Sequence, residues 1–237
     1  MKRILTNTLI AATTISLIFL NSCRDPDIIP EVPPDVEPTG PRTEIYEKIM
    51  AQFPEGEDIT TSQAALFDGA AKKHVVLTEA SPIYVTFISE GASFPNSFGY
   101  YIYNGNSPAS TDQVDVQVLF PHVNDKVLNQ GDRLQLGEGT FPAGTVVGFF
   151  LIIKGWEQNK VHYDRETFYT DIALNPHQQQ QHVLFRQKEL GDIVLTFEDR
   201  LTSQVSDKDY NDIIFTVTDN TEDKAVSKFD LTNVPEL

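Results

Sequence analysis

The spacing of apolar residues divides the chain into one helical segment and a long region of strands. Over residues 43–53 the apolar side chains recur at helical spacing, which predicts a short amphipathic helix that Pro54 ends. From His74 onward the period becomes two, as in residues 114–120, where valines and a phenylalanine alternate with Asp, Gln and Leu. Residues 146–153 are almost continuously apolar, which predicts a central strand covered on both faces.

Further short apolar runs are bounded by Gly- and Pro-containing turns, and they fall at residues 83–88, 99–103, 183–185, 193–197 and 213–217. No helical crossover lies between them. Many short strands without crossovers predict an all-β domain, an antiparallel β-sandwich of jelly-roll type with a short N-terminal helix.

The first 22 residues are typical of a signal peptide. A basic start, Lys2 and Arg3, precedes the apolar residues 4–20, which are few for a membrane span. The stretch closes with Leu-Asn-Ser-Cys at residues 20–23, which resembles a bacterial lipobox whose cysteine, Cys23, is acylated. The alternative is an ordinary cleaved signal peptide with an incidental cysteine. We predict an exported protein, lipid-anchored in the bacterial outer membrane on its periplasmic or cell-surface face.

The segment after Cys23 is dense in proline and acidic residues. Proline removes backbone donors and like charges repel, so residues 23–41 are predicted to be an extended, unpacked tether that spans about 50 Å. The remaining divisions are the helix and lead-in, the β-sandwich domain and a C-terminal tail, at residues 42–74, 75–219 and 220–237.

Composition narrows the classes of partner. The formal net charge is −16, from 18 Lys and Arg against 34 Asp and Glu, which argues against a nucleic-acid partner. The single cysteine excludes an intrachain disulfide and a zinc site with several thiolates. The expected contact with a membrane is therefore the N-terminal anchor, and other partners are a glycan or a surface protein.

The densest acidic segment lies between the last two predicted strands. If these strands form a hairpin, six oxygen-bearing side chains meet at one end of the sheet, and we call them the acidic rim: Glu198, Asp199, Asp207, Asp209, Asn211 and Asp212. Strand parity places Ile193, Leu195 and Phe197 on one buried face, and Glu198 on the other.

Clustered carboxylates repel one another unless a cation neutralises them, and Ca²⁺ prefers such hard oxygen ligands. The acidic rim is thus a candidate Ca²⁺ site. The Asp-x-Asp-x-Asn spacing from Asp207 fits the first half of an EF-hand, but the sixth position is Asp212 and the twelfth is Thr218, so an EF-hand is rejected. Turn formation by Asp and Asn without metal, or a merely solvated loop, are the alternatives.

Several blocks of the chain resemble the bacterial domain-of-unknown-function family 4114, as in LruC-type surface lipoproteins. They include Gly-Tyr-Tyr at 99–101, Gly-Trp at 155–156, Phe-Glu-Asp at 197–199 and Asp-x-Asp-Tyr-Asn-Asp at 207–212, and together they cover about residues 75–219. The resemblance implies a β-sandwich whose acidic positions, the acidic rim here, take part in metal binding or catalysis.

The leading functional hypothesis is a lipid-anchored, Ca²⁺-binding module for surface binding or adhesion, with carbohydrate as the first ligand class. Tyr101, Tyr103 and Trp156 are the candidate ligand contacts, because aromatic rings stack on sugars; packing in the core is the alternative for each.

Two other hypotheses remain. The first is a glycosidase-like hydrolase in which Glu198 is the general acid and Asp209 or Asp212 is the base or nucleophile. The second is a structural subunit of a surface assembly, in which the cation only stabilises a long loop.

Overall fold

A computed structural model describes residues 36–91, 94–203, 206–222 and 225–237. In these residues thirteen strands form three antiparallel sheets, and one α-helix lies near the N-terminal side. The predicted all-β sandwich is therefore confirmed. The predicted signal peptide, Cys23 and the tether up to residue 35 lie outside the described residues. No helix in the described ranges has the length and apolar character needed to cross a bilayer.

The helix α1 is Thr43–Gln52, and the strands from β1 to β13 are Glu37–Pro38, Val75–Val76, Tyr84–Glu90, Asn96–Tyr103, Gln117–Val123, Asp132–Gln135, Val146–Ile152, Trp156–Glu157, Lys160–Val161, Thr167–Tyr169, His182–Arg186, Ile193–Phe197 and Ile213–Thr218.

Two large sheets form the sandwich. The first has the order β1-β6-β3-β13-β12-β11, and the second has the order β10-β7-β4-β5, with β2 also paired to β7. The short β8–β9 hairpin forms the third sheet. The chain crosses between the large sheets after β1, β2, β3, β5, β6 and β10, whereas β11 to β13 remain together in one sheet.

Phenylalanine rings fill the space between the two sheets. Phe98 from β4 stacks on Phe215 from β13 with ring centroids 4.0 Å apart, and it also contacts Phe149 and Phe197. All four rings are buried. Burial of each such side chain contributes about 2–3 kcal/mol, so this aromatic cluster supplies much of the stability of the sandwich.

The predicted parity of β12 and β13 is confirmed, and both faces of these strands are buried. Leu195 and Phe215 face the core of the sandwich, whereas Val194 and Ile214 face a second apolar cluster beneath α1. In that cluster Phe53 stacks on a ring of β11 at 5.3 Å. The amphipathic helix thus covers the outer face of the six-stranded sheet as a third layer, and the predicted helix is confirmed.

The last residues of the predicted tether pack on the domain. Glu37 and Pro38 form β1, which pairs with β6, and the amide of Thr39 donates to the carbonyl of Gly131 at 2.9 Å. Gly131 has φ +95°, and a Cβ there would lie 2.0 Å from the carbonyl oxygen of Gly40, so only glycine permits this approach. The expectation of an unpacked segment is therefore wrong for residues 36–41.

The residues predicted to be a C-terminal tail are also part of the domain. Phe229 is buried and bridges to Leu77, and the amide of Leu237 donates to the carbonyl of Arg186 at 3.0 Å. Backbone pairing explains the docking, because this segment supplies hydrogen bonds along the otherwise free edge of β11.

Candidate metal centre

The acidic rim lies at one end of the six-stranded sheet. β12 and β13 are antiparallel, and at this end their last pair is Phe197 with Ile213. The chain therefore leaves the sheet after Phe197 and re-enters it at Ile213, at the same end of the two strands. Glu90, the last residue of β3, lies there as well, opposite Ile213. The hairpin expected from the sequence is confirmed, and it gathers the six predicted side chains at one end of the sandwich.

Only two of the six side chains meet in a geometry that suits an ion. One carboxylate oxygen from each of Glu55, Asp207 and Asp209 lies within 4.8 Å of the other two. In the part of the chain that the structure describes, no other group of three or more His, Cys, Asp or Glu side chains converges in this way. We call these three residues the outer cluster. Glu55 and Asp207 are exposed, and Asp209 is buried.

Glu55 is the ligand that sequence reasoning missed. It follows α1 directly, in an acidic run at residues 55–58, and it is far from Asp207 in the chain. The acidic run was the available signal, but no periodicity connects it to the acidic rim. The two segments meet because α1 packs its apolar face on the outer side of β12 and β13.

Backbone hydrogen bonds hold Asp209 in position. Its Oδ2 accepts the amide of Gly56 at 2.8 Å, and its Oδ1 accepts the amide of Asn211 at 3.2 Å. Burial raises the pKa of this carboxyl. The residues on either side, Lys208 and Tyr210, have φ of +60° and +55°. A side chain in this left-handed region costs about 1–2 kcal/mol, so the surrounding contacts must enforce the geometry.

Asn211 fastens the rim to the segment after α1. Its side-chain amide donates to the carbonyl of Phe53 at 3.0 Å, and the amide of Ile59 donates to the carbonyl of Lys208 at 3.1 Å. Asn211 is 4 % exposed. The nitrogen of this predicted ligand therefore has a structural role at the junction of two layers.

Glu198 lies inside the protein rather than in the outer cluster. Only 1 % of it is exposed, one carboxylate oxygen accepts the amide of Tyr210 at 2.7 Å, and the other accepts the hydroxyl of Ser206. Burial raises its pKa to about 7, and the charge of Asp209 adds to the effect. That pKa fits a general acid. The burial does not, because a substrate could not reach a carboxyl group enclosed in this way.

Asp199 and Asp212 are hydrogen-bonded to each other near Glu198. The amide of Asp199 donates to Oδ2 of Asp212 at 2.8 Å, and the side chain of Asn96 donates to Oδ2 of Asp199 at 3.2 Å. Burial, followed by the charge of Asp199, raises the pKa of Asp212 to about 8. Burial raises the pKa of Glu90 to about 7, and the charge of nearby Asp199 contributes to the rise. We call Glu198, Asp199 and Asp212 the inner acids.

The aromatic ligand candidates lie in different places. Tyr101 is fully buried, and its hydroxyl donates to Oδ2 of Asp171 at 2.7 Å, so the expectation of a ligand contact there is wrong. A Cβ at Gly148 would lie 2.2 Å from the ring of Tyr101, so the ring lies directly over β7. Tyr103 is half-buried and donates to Oδ1 of Asp171 at 3.0 Å. Trp156 is half-buried near the other end of β4.

The outer cluster has the chemistry of a hard-cation site. Two oxygens bound to one Ca²⁺ at about 2.4 Å lie at most about 4.8 Å apart, and the three carboxylate oxygens lie within 4.8 Å of one another. The donors are all oxygen, and two of the three residues face solvent, so an ion could enter and keep bound water. Glu55, Asp207 and Asp209 are the residues that could hold it.

The fold and the acidic rim define an all-β sandwich with carboxylates concentrated at one end. Residues 141–220 match the profile of the family described as "Domain of unknown function (DUF4114)", which confirms the resemblance over these residues. The match spans β7 to β13 and contains all six predicted ligands, but it does not reach Glu55. No curated protein and no solved structure matches the chain.

Proposed function

We propose that this protein is a lipid-anchored, exported binding module whose outer cluster binds Ca²⁺. The observation that carries the proposal is the convergence of Glu55, Asp207 and Asp209 within 4.8 Å. The acidic rim, the predicted lipobox at Cys23 and the proline-rich segment after it support a module held away from a membrane. The role in adhesion, with carbohydrate as the ligand class, belongs to the same proposal.

Electrostatics favours a divalent ion at this place. Three carboxylates so close together repel one another when they are ionised, and two of the three residues are exposed to solvent. The ammonium of Lys208 forms an ion pair with Asp58 at 3.6 Å, and among the described residues it forms none with the outer cluster. A bound Ca²⁺ would replace repulsion by attraction to all three ligands.

Binding at this place would also join two layers of the fold. Glu55 belongs to the segment after α1, whereas Asp207 and Asp209 belong to the loop between β12 and β13. An ion shared by both segments would neutralise the repelling carboxylates in the folded state and would be lost on unfolding, when the two segments separate. Ca²⁺ should therefore stabilise the protein against unfolding by an amount that rises with the logarithm of its concentration relative to Kd.

The test is a Ca²⁺ titration of the full chain by calorimetry, together with thermal unfolding in EDTA and in millimolar Ca²⁺. The wild type should show a saturable heat of binding and a rise in Tm, and both should be lost in Glu55→Gln and Asp207→Asn. Glu57→Gln is the matched control, because Glu57 is equally exposed and lies outside the outer cluster. Absence of a Tm shift in the wild type would refute the Ca²⁺ site.

The anchor has its own test. Cells fed a labelled fatty acid should incorporate it into the wild-type chain and not into Cys23→Ala, and the variant should leave the membrane fraction. Equal labelling of both proteins would contradict the predicted lipobox.

A further inference from the structure

Two cations share one aromatic ring at the end of the sandwich that carries the acidic rim. The ammonium of Lys154 lies 4.1 Å from the ring centroid of Phe94, and the guanidinium of Arg200 lies 5.5 Å from the same centroid. Both cationic side chains are exposed. The ring attracts each cation through its quadrupole but carries no net charge, so it does not neutralise them.

The carboxylate on which both cations act lies inside the protein. Asp199 is 4 % exposed, and its Oδ2 accepts a hydrogen bond from the side chain of Asn96 at 3.2 Å. Neither cation forms a salt bridge with any other residue in the described ranges. In a chain with a net charge of −16, this is an isolated site for an anionic group.

The backbone holds Lys154 in a fixed place. Lys154 has φ +54°, a conformation that side chains disfavour, and its amide donates to Oδ1 of Asn96 at 2.9 Å. The next residue is Gly155, where a Cβ would lie 2.6 Å from Oγ of Ser97. The turn is therefore packed tightly against the start of β4, which fixes the direction in which the residues on either side of Gly155 project.

An aromatic pair lies beside the cations. The amide of Trp156 donates to the carbonyl of Pro95 at 2.9 Å, so the backbone of Trp156 lies beside the residue that follows Phe94. The indole stacks on the imidazole of His122 with centroids 5.7 Å apart and an angle of 18° between the rings. Both residues are half-buried, so the pair presents part of its rings to solvent. Such a surface suits the C–H face of a sugar ring.

We propose that this surface binds an acidic polysaccharide, with a sugar carboxylate held by Lys154 and Arg200 and a sugar ring packed on Trp156. The inference rests on the proposed role as a surface binding module and names its ligand class, but it does not depend on the Ca²⁺ site. Arg200 can bind a carboxylate through two parallel hydrogen bonds, and Lys154 supplies a second charge. At physiological salt, charges that lie more than about 8 Å from the two cations are largely screened.

Trp156 provides a direct signal, because it is the only tryptophan in the chain. The full chain should be titrated with polygalacturonate in physiological salt and EDTA, with Trp fluorescence and calorimetry as readouts. We expect a saturable change in fluorescence together with a heat of binding. Neutral dextran and inorganic phosphate should produce neither at matched concentrations of sugar or anion. Absence of binding to polygalacturonate, or equal binding of dextran, would overturn the proposal.

Variants separate the two parts of the site. The double variant Lys154→Gln/Arg200→Gln should bind polygalacturonate at least about tenfold more weakly, whereas Lys188→Gln, an equally exposed lysine elsewhere, should bind like the wild type. Unchanged affinity in the double variant would refute the cation pair as the binding group. Trp156→Leu should weaken binding in calorimetry while its Tm shows that it is folded, and full affinity in this variant, or phosphate binding as strong as that of the sugar, would refute sugar recognition.

The outcome is distinguishable from failure of the Ca²⁺ proposal. Glu55→Gln/Asp207→Asn should retain binding to polygalacturonate in EDTA, because neither residue belongs to the surface around Trp156. A wild type that binds polygalacturonate but shows no Ca²⁺ binding would refute only the metal site. If Glu55→Gln/Asp207→Asn is folded but does not bind polygalacturonate, the two sites are not independent.

Discussion

The acidic rim contains two kinds of carboxylate. The inner acids accept hydrogen bonds from the protein itself, as when the amide of Tyr210 donates to Glu198 at 2.7 Å. In the outer cluster, Asp209 is similarly fixed, but Glu55 and Asp207 are exposed and direct their oxygens toward the same point. Residues with the same chemistry therefore have different roles within one loop.

The difference shows why an Asp-rich motif by itself does not define a metal site. A buried carboxyl must be protonated or satisfied by donors, and the inner acids are satisfied in this way. Their raised pKa values express the cost of that burial. An ion ligand must instead hold its oxygens close to those of other ligands, and among the described residues the outer cluster is the group of carboxylates that does so.

Removing an inner acid should have the largest effect on stability. Glu198→Ala deletes the acceptor for the amide of Tyr210 and leaves a cavity, so at pH 5 the free energy of unfolding should fall by about 3 kcal/mol. Asp207→Ala, in EDTA, should change it by less than about 0.5 kcal/mol. Urea denaturation of both variants measures the contrast, and similar losses would show that the two halves of the rim do not differ.

The pH dependence of stability should sharpen the comparison. The folded-state pKa of Glu198 is about 7, above the ordinary 4.5, so between these values the folded protein holds a proton that the unfolded chain has released. Stability in EDTA should therefore fall as pH rises from 4.5 to 7, by at most about 1.4 kcal/mol per pH unit from this group. Glu198→Gln should remove that contribution, so its stability relative to the wild type should increase with pH. A difference that does not vary with pH would contradict the raised pKa.

The junction between the rim and α1 should have an intermediate effect. Asn211→Ala removes the hydrogen bond to the carbonyl of Phe53 and should cost about 1–2 kcal/mol. Hydrogen exchange should show faster exchange at the end of α1 than in the wild type. Asn220→Ala, at a half-buried asparagine outside this junction, is the control and should leave exchange in α1 unchanged.

The smallest expected change in the free energy of unfolding is that of an exposed residue of the outer cluster when no metal is bound. Glu55→Gln in EDTA should raise the free energy of unfolding slightly, by a few tenths of a kcal/mol, because it removes one of three repelling charges. Thermal unfolding at low salt gives the largest signal, and the gain should shrink as salt is added. A clear loss of stability would indicate that Glu55 has a structural partner.

Much of the sandwich could be predicted because strand parity is local. The alternation over β12 and β13 identified Ile193, Leu195 and Phe197 as one buried face, and the structure confirms it. The same pattern could not show that α1 covers the opposite face. Alternation assigns Val194 and Ile214 to that face but does not show whether it is exposed or covered. Short edge strands such as β1 were missed because two residues carry no period.

The candidate site was predicted in part. The hairpin between two recognisable strands implied that Glu198 to Asp212 share one end of the sheet, and register confirms this. Burial separated these residues into different roles, and burial depends on what packs over the loop. Tyr101 shows the same limit, since only the tertiary contacts with Gly148 and Asp171 place it in the interior.

The sequence by itself determined the all-β class, the helix before it, the parity of the main strands and the position of the acidic rim, because each follows from spacing over a few neighbouring residues. The tertiary structure alone decided which carboxylates converge, since Glu55 reaches Asp207 through the packing of α1 on the sheet. It also brought Lys154 and Arg200 to the ring of Phe94. Contacts between residues distant in the chain depend on how layers pack, and no local periodicity records that.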